Sequence, residues 1–387
     1  MDNARETLYQ DLRREIGNTP LCELTKIQFP RGNRVFAKEE YANPGGSHYD
    51  RVFLPIFRHY EEQGKIVPGV TPVVETSSGS AGVSFARTGR LLGYECLVIC
   101  PEDLPQSRLH AVEEQGAELR LTPKGQYIDG SAQELARIFR EENRERKKNG
   151  KMPYFGLNHS QNPAASIAAS SVESAVDEAV SQAAQIGVKF DIAIAAGGNG
   201  TTALGFGRAA GRYGFPLVIW EPLSSGLYFD RKFGNQIHDY SPLEWKFGIK
   251  PGELREGGGV VYGMTYGPTV FGLPNIDRAI EEGVVDYVRI ATDEKTRQAA
   301  LHELRMRQMD APLMFGQNDT LFRNVEMHRA NVQRLPSWGP ALELLRDTER
   351  KPVGWSSAGN IAMVMDESWR IKDMNVLTFF YDSLSRY

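Results

Sequence analysis

The chain has 387 residues, 41% hydrophobic and 24% charged, with a net charge of −4 spread over interleaved basic and acidic side chains. This ordinary composition allows a sizeable core and two domains, and it excludes a nucleic-acid-coating surface; the one basic cluster, Arg144 to Lys151, has acidic neighbours and reads as a solvated helix end. Cys22, Cys96 and Cys100 match no metal-ligand spacing, no stretch is long enough to span a membrane, and Met1 to Ile16 lacks the apolar run of a signal peptide, so a reduced, cytoplasmic setting without metal or membrane is expected.

A short charged helix precedes Ile16-Gly17-Asn18-Thr19-Pro20-Leu21, where glycine and the residue before proline disfavour more helix and an extended segment begins. Val35 to Lys38 is a short strand. Asn43-Pro44-Gly45-Gly46-Ser47 then reads as a shaped loop, and Val52, Phe53, Ile56 and Phe57 follow at helical spacing from Asp50. His48 and Tyr49 therefore sit near a helix N-terminus, where backbone N–H groups favour an anion. From Gly64 the pattern alternates: Pro72 to Glu75 apolar, Ala81 to Leu92 helical, Cys96 to Cys100 apolar, Gln106 to Gln115 helical, Glu118 to Leu121 extended, Ser131 to Lys147 a long helix. Such alternation implies a mostly parallel sheet covered by helices.

Between the first of these strands and its helix lies Ser77-Ser78-Gly79-Ser80-Ala81-Gly82, whose small residues let amides and hydroxyls converge on an anionic group or simply cap the helix. Pro153 to Leu157 crosses to the second half. Asn158-His159-Ser160-Gln161-Asn162-Pro163 precedes a helix from Ala164 to Ile186, with a capping role preferred for His159. After the strand Phe190 to Ala196, Gly197-Gly198-Asn199-Gly200-Thr201-Thr202 opens another helix, and its amides with the Thr201 hydroxyl suit a phosphate; a dinucleotide turn is the rival, but no acidic residue follows at the usual distance to hold a ribose. Strands at Leu217 to Trp220 and Asp286 to Ala291, a glycine- and aromatic-rich loop from Gly257 to Gly272, a helix from Asp293 to Gln308, and Gly354-Trp355-Ser356-Ser357-Ala358-Gly359-Asn360 before a last strand, Asn375 to Tyr381, complete the chain.

Several of these segments, in order and over nearly the whole chain, resemble fold-type II pyridoxal-phosphate enzymes, the group holding cysteine synthase, cystathionine β-synthase and tryptophan synthase β-chain. Ile16 to Leu21 resembles the I-G-N-T-P-L opening of cysteine synthases, and Asn43 to Arg51 resembles the loop N-P-G-G-S-x-K-D-R, in which K forms the Schiff base with the cofactor. That position is Tyr49. Ser77, Ser78, Gly79 and Ala81 resemble the loop that grips the substrate carboxylate, with Ser80 where the family has an asparagine touching the cofactor's phenolic oxygen. Gly197, Gly198, Asn199, Gly200 and Thr201 resemble the G-T-G-G-T phosphate cup, Glu221-Pro222 the V-E-P segment, and Ser356 or Ser357 the serine that meets the pyridine nitrogen. The resemblance implies an α/β fold of two three-layer domains, tryptophan synthase β-like, with residues 1–40 and 153–387 forming the larger cofactor domain and 41–152 the smaller one.

A phenol of pKa about 10 forms no imine, so the resting state of the family is closed to this chain. The substitution fits a degenerate binding protein, an altered enzyme, or a lysine replaced to trap a complex. The leading expectation is a cysteine-synthase-like protein that binds pyridoxal phosphate or another phosphorylated small ligand noncovalently, with β-replacement lost or altered. One alternative is an amino-acid lyase or synthase in which Tyr49 or His48 moves the proton; for His48, beside the lysine position, a phosphate contact is preferred. Another is an interaction subunit using the insertion 309–350, whose methionines, prolines and Trp338 suit a partner surface, a lid or a packing element equally. Lys38 is expected to make a structural salt bridge rather than serve as a substitute amine, and the resemblance implies a homodimer.

Overall fold

The computed structural model describes residues 2–77, 79–223, 226–233, 273–292 and 333–383, with positions 294, 297, 298, 301 and 305 between the last two segments. Its strands are β1 (Leu21–Glu23), β2 (Arg34–Glu39), β3 (Val73–Thr76), β4 (Cys96–Pro101), β5 (Glu118–Thr122), β6 (Phe155–Gly156), β7 (Ile192–Ala196), β8 (Leu217–Pro222), β9 (Tyr287–Ala291) and β10 (Asn375–Phe380). They form two sheets, one of order β1-β2-β10-β7-β8-β9 and one of order β5-β4-β3-β6. Every pairing is parallel except β1 with β2. β4, β7 and β8 are buried at every residue, as their continuous apolar runs require of parallel strands covered on both faces.

The helices that matter for the site start where the strands end. Asp50–Glu62 follows the glycine loop, Ser80–Leu91 follows β3, Gln106–Glu113 follows β4, and Thr201–Tyr213 follows β7. The long alanine-rich helix Ala164–Gln185 packs against both Asp50–Glu62 and Thr201–Tyr213, burying Ala165, Ala168, Val172, Ala175, Val176 and Ala179. Small side chains there let helices approach closely. Phe53, Phe57 and Phe85 are fully buried between the first two helices, each contributing roughly 1.5–3 kcal/mol by leaving water.

Three sequence expectations change. The helix expected from Ser131 begins at Tyr127 and runs to Lys148 through a wide turn at Ile138–Glu142. Pro153 to Leu157 is not only a crossing, since β6 pairs with β3 and still belongs to the smaller sheet. Trp338 is no surface residue: it is 1% exposed and packs on Trp220 at 5.8 Å, so the helix Trp338–Leu344 of the insertion is a packing element. The remainder of that insertion, 309–332, lies outside the described residues, as does the loop from Gly257 to Gly272.

A buried ionic network fixes the glycine loop to the rest. Arg51 donates to Glu40 at 2.7 Å and to both Glu178 oxygens at 2.6 and 2.8 Å, joining the chain near β2 to the helix Ala164–Gln185. Lys38, fully buried, donates to Gln182 at 2.9 Å and to the Thr19 carbonyl, and lies 3.0 Å from Glu178. Burial pushes the Glu178 carboxyl up, yet the Arg51 hydrogen bonds and charge outweigh it and hold the group down at about 2. Lys38 is thus the structural ion-pair partner expected.

Under β10, Gly359 faces Trp220 so closely that a methyl group would land on the indole, while Trp220 Nε1 donates to Asn360 Oδ1 at 2.7 Å. Gly359→Ala is therefore expected to overpack this contact and lower stability by about 1–3 kcal/mol, read as a reduced urea midpoint at constant slope. An unchanged midpoint would show that the indole can move.

Candidate active site

The cup is built by the turn from β7 into Thr201–Tyr213. Gly200 takes φ +89°, which an L side chain rarely adopts, and it packs against the backbone of Ile276; Gly198, at φ +53°, has nothing within 4 Å of where a Cβ would stand. The turn is therefore closed beneath Gly200 and open above Gly198. At the start of a 13-residue helix, the first amides have no intrahelical acceptor and favour an anion. Asn199 modifies this cradle. Its Oδ1 accepts from Thr201 N at 3.1 Å while its Nδ2 donates to Ser160 at 2.9 Å, so its side chain engages one of those amides. The Thr201 hydroxyl accepts from Asn275 at 3.2 Å, which leaves its proton to donate. The phosphate end of pyridoxal phosphate fits these residues.

The other end of the site gathers around Tyr49. Its ring lies 4.2 Å from that of His48 and 5.6 Å, edge-on, from that of His159, and Phe53 closes the group at 5.4 Å from His159. The preferred capping role of His159 is thereby corrected. No side chain caps Ala164–Gln185, and the imidazole, 7% exposed, packs into the Tyr49 cluster instead. Its main-chain N–H donates to Glu75 Oε2 at 3.1 Å and its Nδ1 lies 3.5 Å from Glu75 Oε1, an ion-pair distance without hydrogen-bond alignment. Glu75 is 1% exposed on β3.

The two family positions that carry unusual residues meet at one carboxylate. Ser80 Oγ donates to Asp382 Oδ2 at 2.7 Å, and Asp382 bridges Ser47 as a short antiparallel contact. Burial, then Asp382 and Glu75, raise the Tyr49 phenol to about 12 against the opposing charge of Arg108. Tyr49 is therefore a neutral hydrogen-bond donor and a poor base. The His48 ring lies 5.1 Å from that of Tyr381, tilted by 59°, and its buried Nδ1 has no hydrogen-bond partner. Burial drives this imidazole down to about 4; Glu40 pulls it back up, while Arg51 and His159 push it further down. His48 is neutral near pH 7, and its weak basicity makes it an inefficient proton acceptor.

In the third loop, Ser77 Oγ accepts from Gly79 N at 3.0 Å and Gly82 N at 2.7 Å, so this hydroxyl shapes the turn from inside. Ser78 lies outside the described residues. Ala81 is buried, and a Cβ on Gly79 would fall 2.5 Å from Arg108 Nη1. Arg108, itself 5% exposed, enters the site from Gln106–Glu113 and had no motif to announce it. Of the two serines before β10, Ser357 is fully buried and its Oγ accepts from Tyr381 N at 3.0 Å, whereas Ser356 is partly exposed. Tyr381 in turn accepts from Ala196 N at 2.9 Å, just before the cup. Among the described residues no cluster of three metal-ligating side chains occurs and no helix is long and apolar enough to cross a membrane.

A family model described as "Pyridoxal-phosphate dependent enzyme" matches residues 12–226, more than half of the chain. A cysteine synthase of Staphylococcus aureus is 34% identical over 149 residues, which cover 38% of this chain and 44% of that protein. A cystathionine beta-synthase of Mus musculus is 29% identical over 207 residues, 51% of this chain and 34% of that one. The matches thus span less than half the length of these curated relatives. Among solved structures, a hydrogen sulfide-producing enzyme from Fusobacterium nucleatum superposes with a TM-score of 0.65 at 20% identity, covering 97% of this chain and 98% of that chain, a likeness of fold.

The His48 environment sets a pH dependence. Its ordinary value of 6.5 falls to about 4 in the fold, so the unfolded chain binds the extra proton first. This contribution to stability is complete above pH 6.5 and is lost as pH falls from there through about 4. His48→Gln, which cannot titrate, is expected to lose less stability than the parent across that window in urea melts at stepped pH. Parallel losses would contradict the burial of a neutral imidazole.

Proposed function

The chain belongs to the pyridoxal-phosphate dependent enzyme family, and from that membership we propose that it binds pyridoxal phosphate, or a phosphorylated ligand of similar size, without a covalent link to lysine. β-Replacement of the cysteine-synthase kind is lost or altered in this reading. The observation that carries it is the phenol at position 49 in the loop that precedes Asp50–Glu62. Lys38 cannot substitute, because it is fully buried and committed to Thr19, Gln182 and Glu178.

When bound, the cofactor supplies an electron sink for carbanionic charge on an amino acid. Gly197, Gly198, Asn199, Gly200 and Thr201 would hold its phosphate and Ser356 its ring nitrogen, a hydroxyl partner that leaves that nitrogen neutral. Tyr49, kept protonated, donates a hydrogen bond at the reactive end. Ser80, turned onto Asp382, fixes the wall beside it. A cytoplasmic homodimer acting on an amino-acid-like ligand is the setting this reading expects.

Two experiments follow. Gly198→Trp fills the open side of the cup and is expected to weaken pyridoxal phosphate binding at least tenfold in a fluorescence titration; an unchanged affinity would place the phosphate elsewhere. Tyr49→Lys restores an amine, and its protein is expected to turn yellow with the cofactor and to hold it through dialysis that strips the parent. A variant that stays colourless would count against the cofactor and favour a different phosphorylated ligand.

A further inference from the structure

The segment after β10 runs along the glycine loop and carries a carboxylate to it. His48 N donates to the Tyr381 carbonyl at 3.3 Å, and Asp382 pairs as an antiparallel bridge with Ser47, two residues before Tyr49. From the other side Ser80 Oγ, in the first residue of Ser80–Leu91, donates to Asp382 Oδ2 at 2.7 Å, which fixes the carboxylate between the loops that carry Tyr49 and Ser80. Asp382 is 6% exposed, whereas Tyr49 and Ser80 each keep part of their surface open to solvent. A second buried carboxylate, Glu75 at the end of β3, accepts from the main-chain N–H of Thr76 at 2.9 Å and of His159 at 3.1 Å, and the His159 ring meets that of Tyr49. Beyond burial, the charges that bear on the Tyr49 phenol are Asp382, then Glu75, and in the opposite sense Arg108. Charges set in a poorly solvated wall act on the adjoining space more strongly than charges in water. The field is therefore negative around position 49, where the family carries its lysine amine.

We infer that this end of the site selects a ligand that brings its own amine: pyridoxamine phosphate, whose aminomethyl group is a cation near pH 7, over a phosphorylated pyridine with an uncharged substituent on the same carbon. The inference rests on the ligand reading given above and narrows it to the amine-bearing form. Asp382 is the counter-charge for that ammonium, Ser80 is the residue that positions Asp382, and the Tyr49 oxygen can accept from the ammonium. The phosphate cup contributes nothing to the choice, because every form of the ligand carries the same phosphate. Discrimination comes from the Tyr49 end alone.

Pyridoxamine phosphate and pyridoxine phosphate differ only in an ammonium against a hydroxyl, and neither forms an imine with a protein lysine, so calorimetric titration of the full chain with each isolates the charge. The amine is expected to bind at least about tenfold tighter. Asp382→Asn is expected to bring the two affinities to within about threefold by weakening the amine, with pyridoxine phosphate unchanged to within about twofold. Because Asp382 also holds Ser80, a second variant leaves that contact intact: Tyr49→Lys supplies the chain's own ammonium to the same field, and the preference for the amine is expected to vanish. Equal affinities for the two ligands in the parent protein, or a preference that persists in either variant once folded, would overturn the inference. Failure of both ligands to bind would refute the ligand reading itself, and the inference with it.

Discussion

The site depends on the last strand of the fold lying in the middle of the larger sheet. β10 is hydrogen-bonded between β2 and β7, so the chain must be complete to residue 380 before the first and second halves of that sheet are joined. Its C-terminal end then distributes contacts in three directions: Tyr381 Oη accepts from Ala196 ahead of the cup, Tyr381 N donates to Ser357, and Asp382 accepts from Ser80 at the start of the helix after β3. Each is a hydrogen bond worth about 0.5–1.5 kcal/mol net, more where a carboxylate accepts. Their combined effect is positional, since they tie the turn after β7, Ser357 in the first turn of Trp355–Glu367 and the loop after β3 to one short segment.

The charges near Tyr49 follow from the same arrangement. A phenol amid Asp382 and Glu75 stays protonated, and an imidazole packed under Tyr381 stays neutral, so neither side chain adjacent to the glycine loop suits a base. The carboxylate–imidazole contact between Glu75 and His159 is contributed by a different layer, the end of β3 and the crossing after β6.

Local patterns made much of this visible in the sequence. The alanine-rich helix Ala164–Gln185, the buried strands β4, β7 and β8 and the turn before Thr201 lie within one or two residues of where periodicity and glycine placement put them. The contacts that define the reactive end were not legible, because they are long-range. Ser80 and Asp382 are 302 positions apart, and His159 and Glu75 are 84 apart. His159 was drawn toward a capping role by the helix that follows it, a local signal that loses to packing against Tyr49 and Phe53. Trp338 was read from composition alone, and its burial on Trp220 needs the tertiary fold. Ser77 could be read as cap or ligand; its hydroxyl accepts from the amides of Gly79 and of Gly82, the latter in the first turn of Ser80–Leu91.

The central claim is that the cofactor site works without an amine at its reactive end. Borohydride reduction of the protein saturated with pyridoxal phosphate, followed by peptide mass spectrometry, tests this most directly. The account predicts no pyridoxyl adduct on any site lysine and full release of the cofactor on unfolding. A stoichiometric adduct on Lys38, or on another lysine reaching the cup, would contradict it.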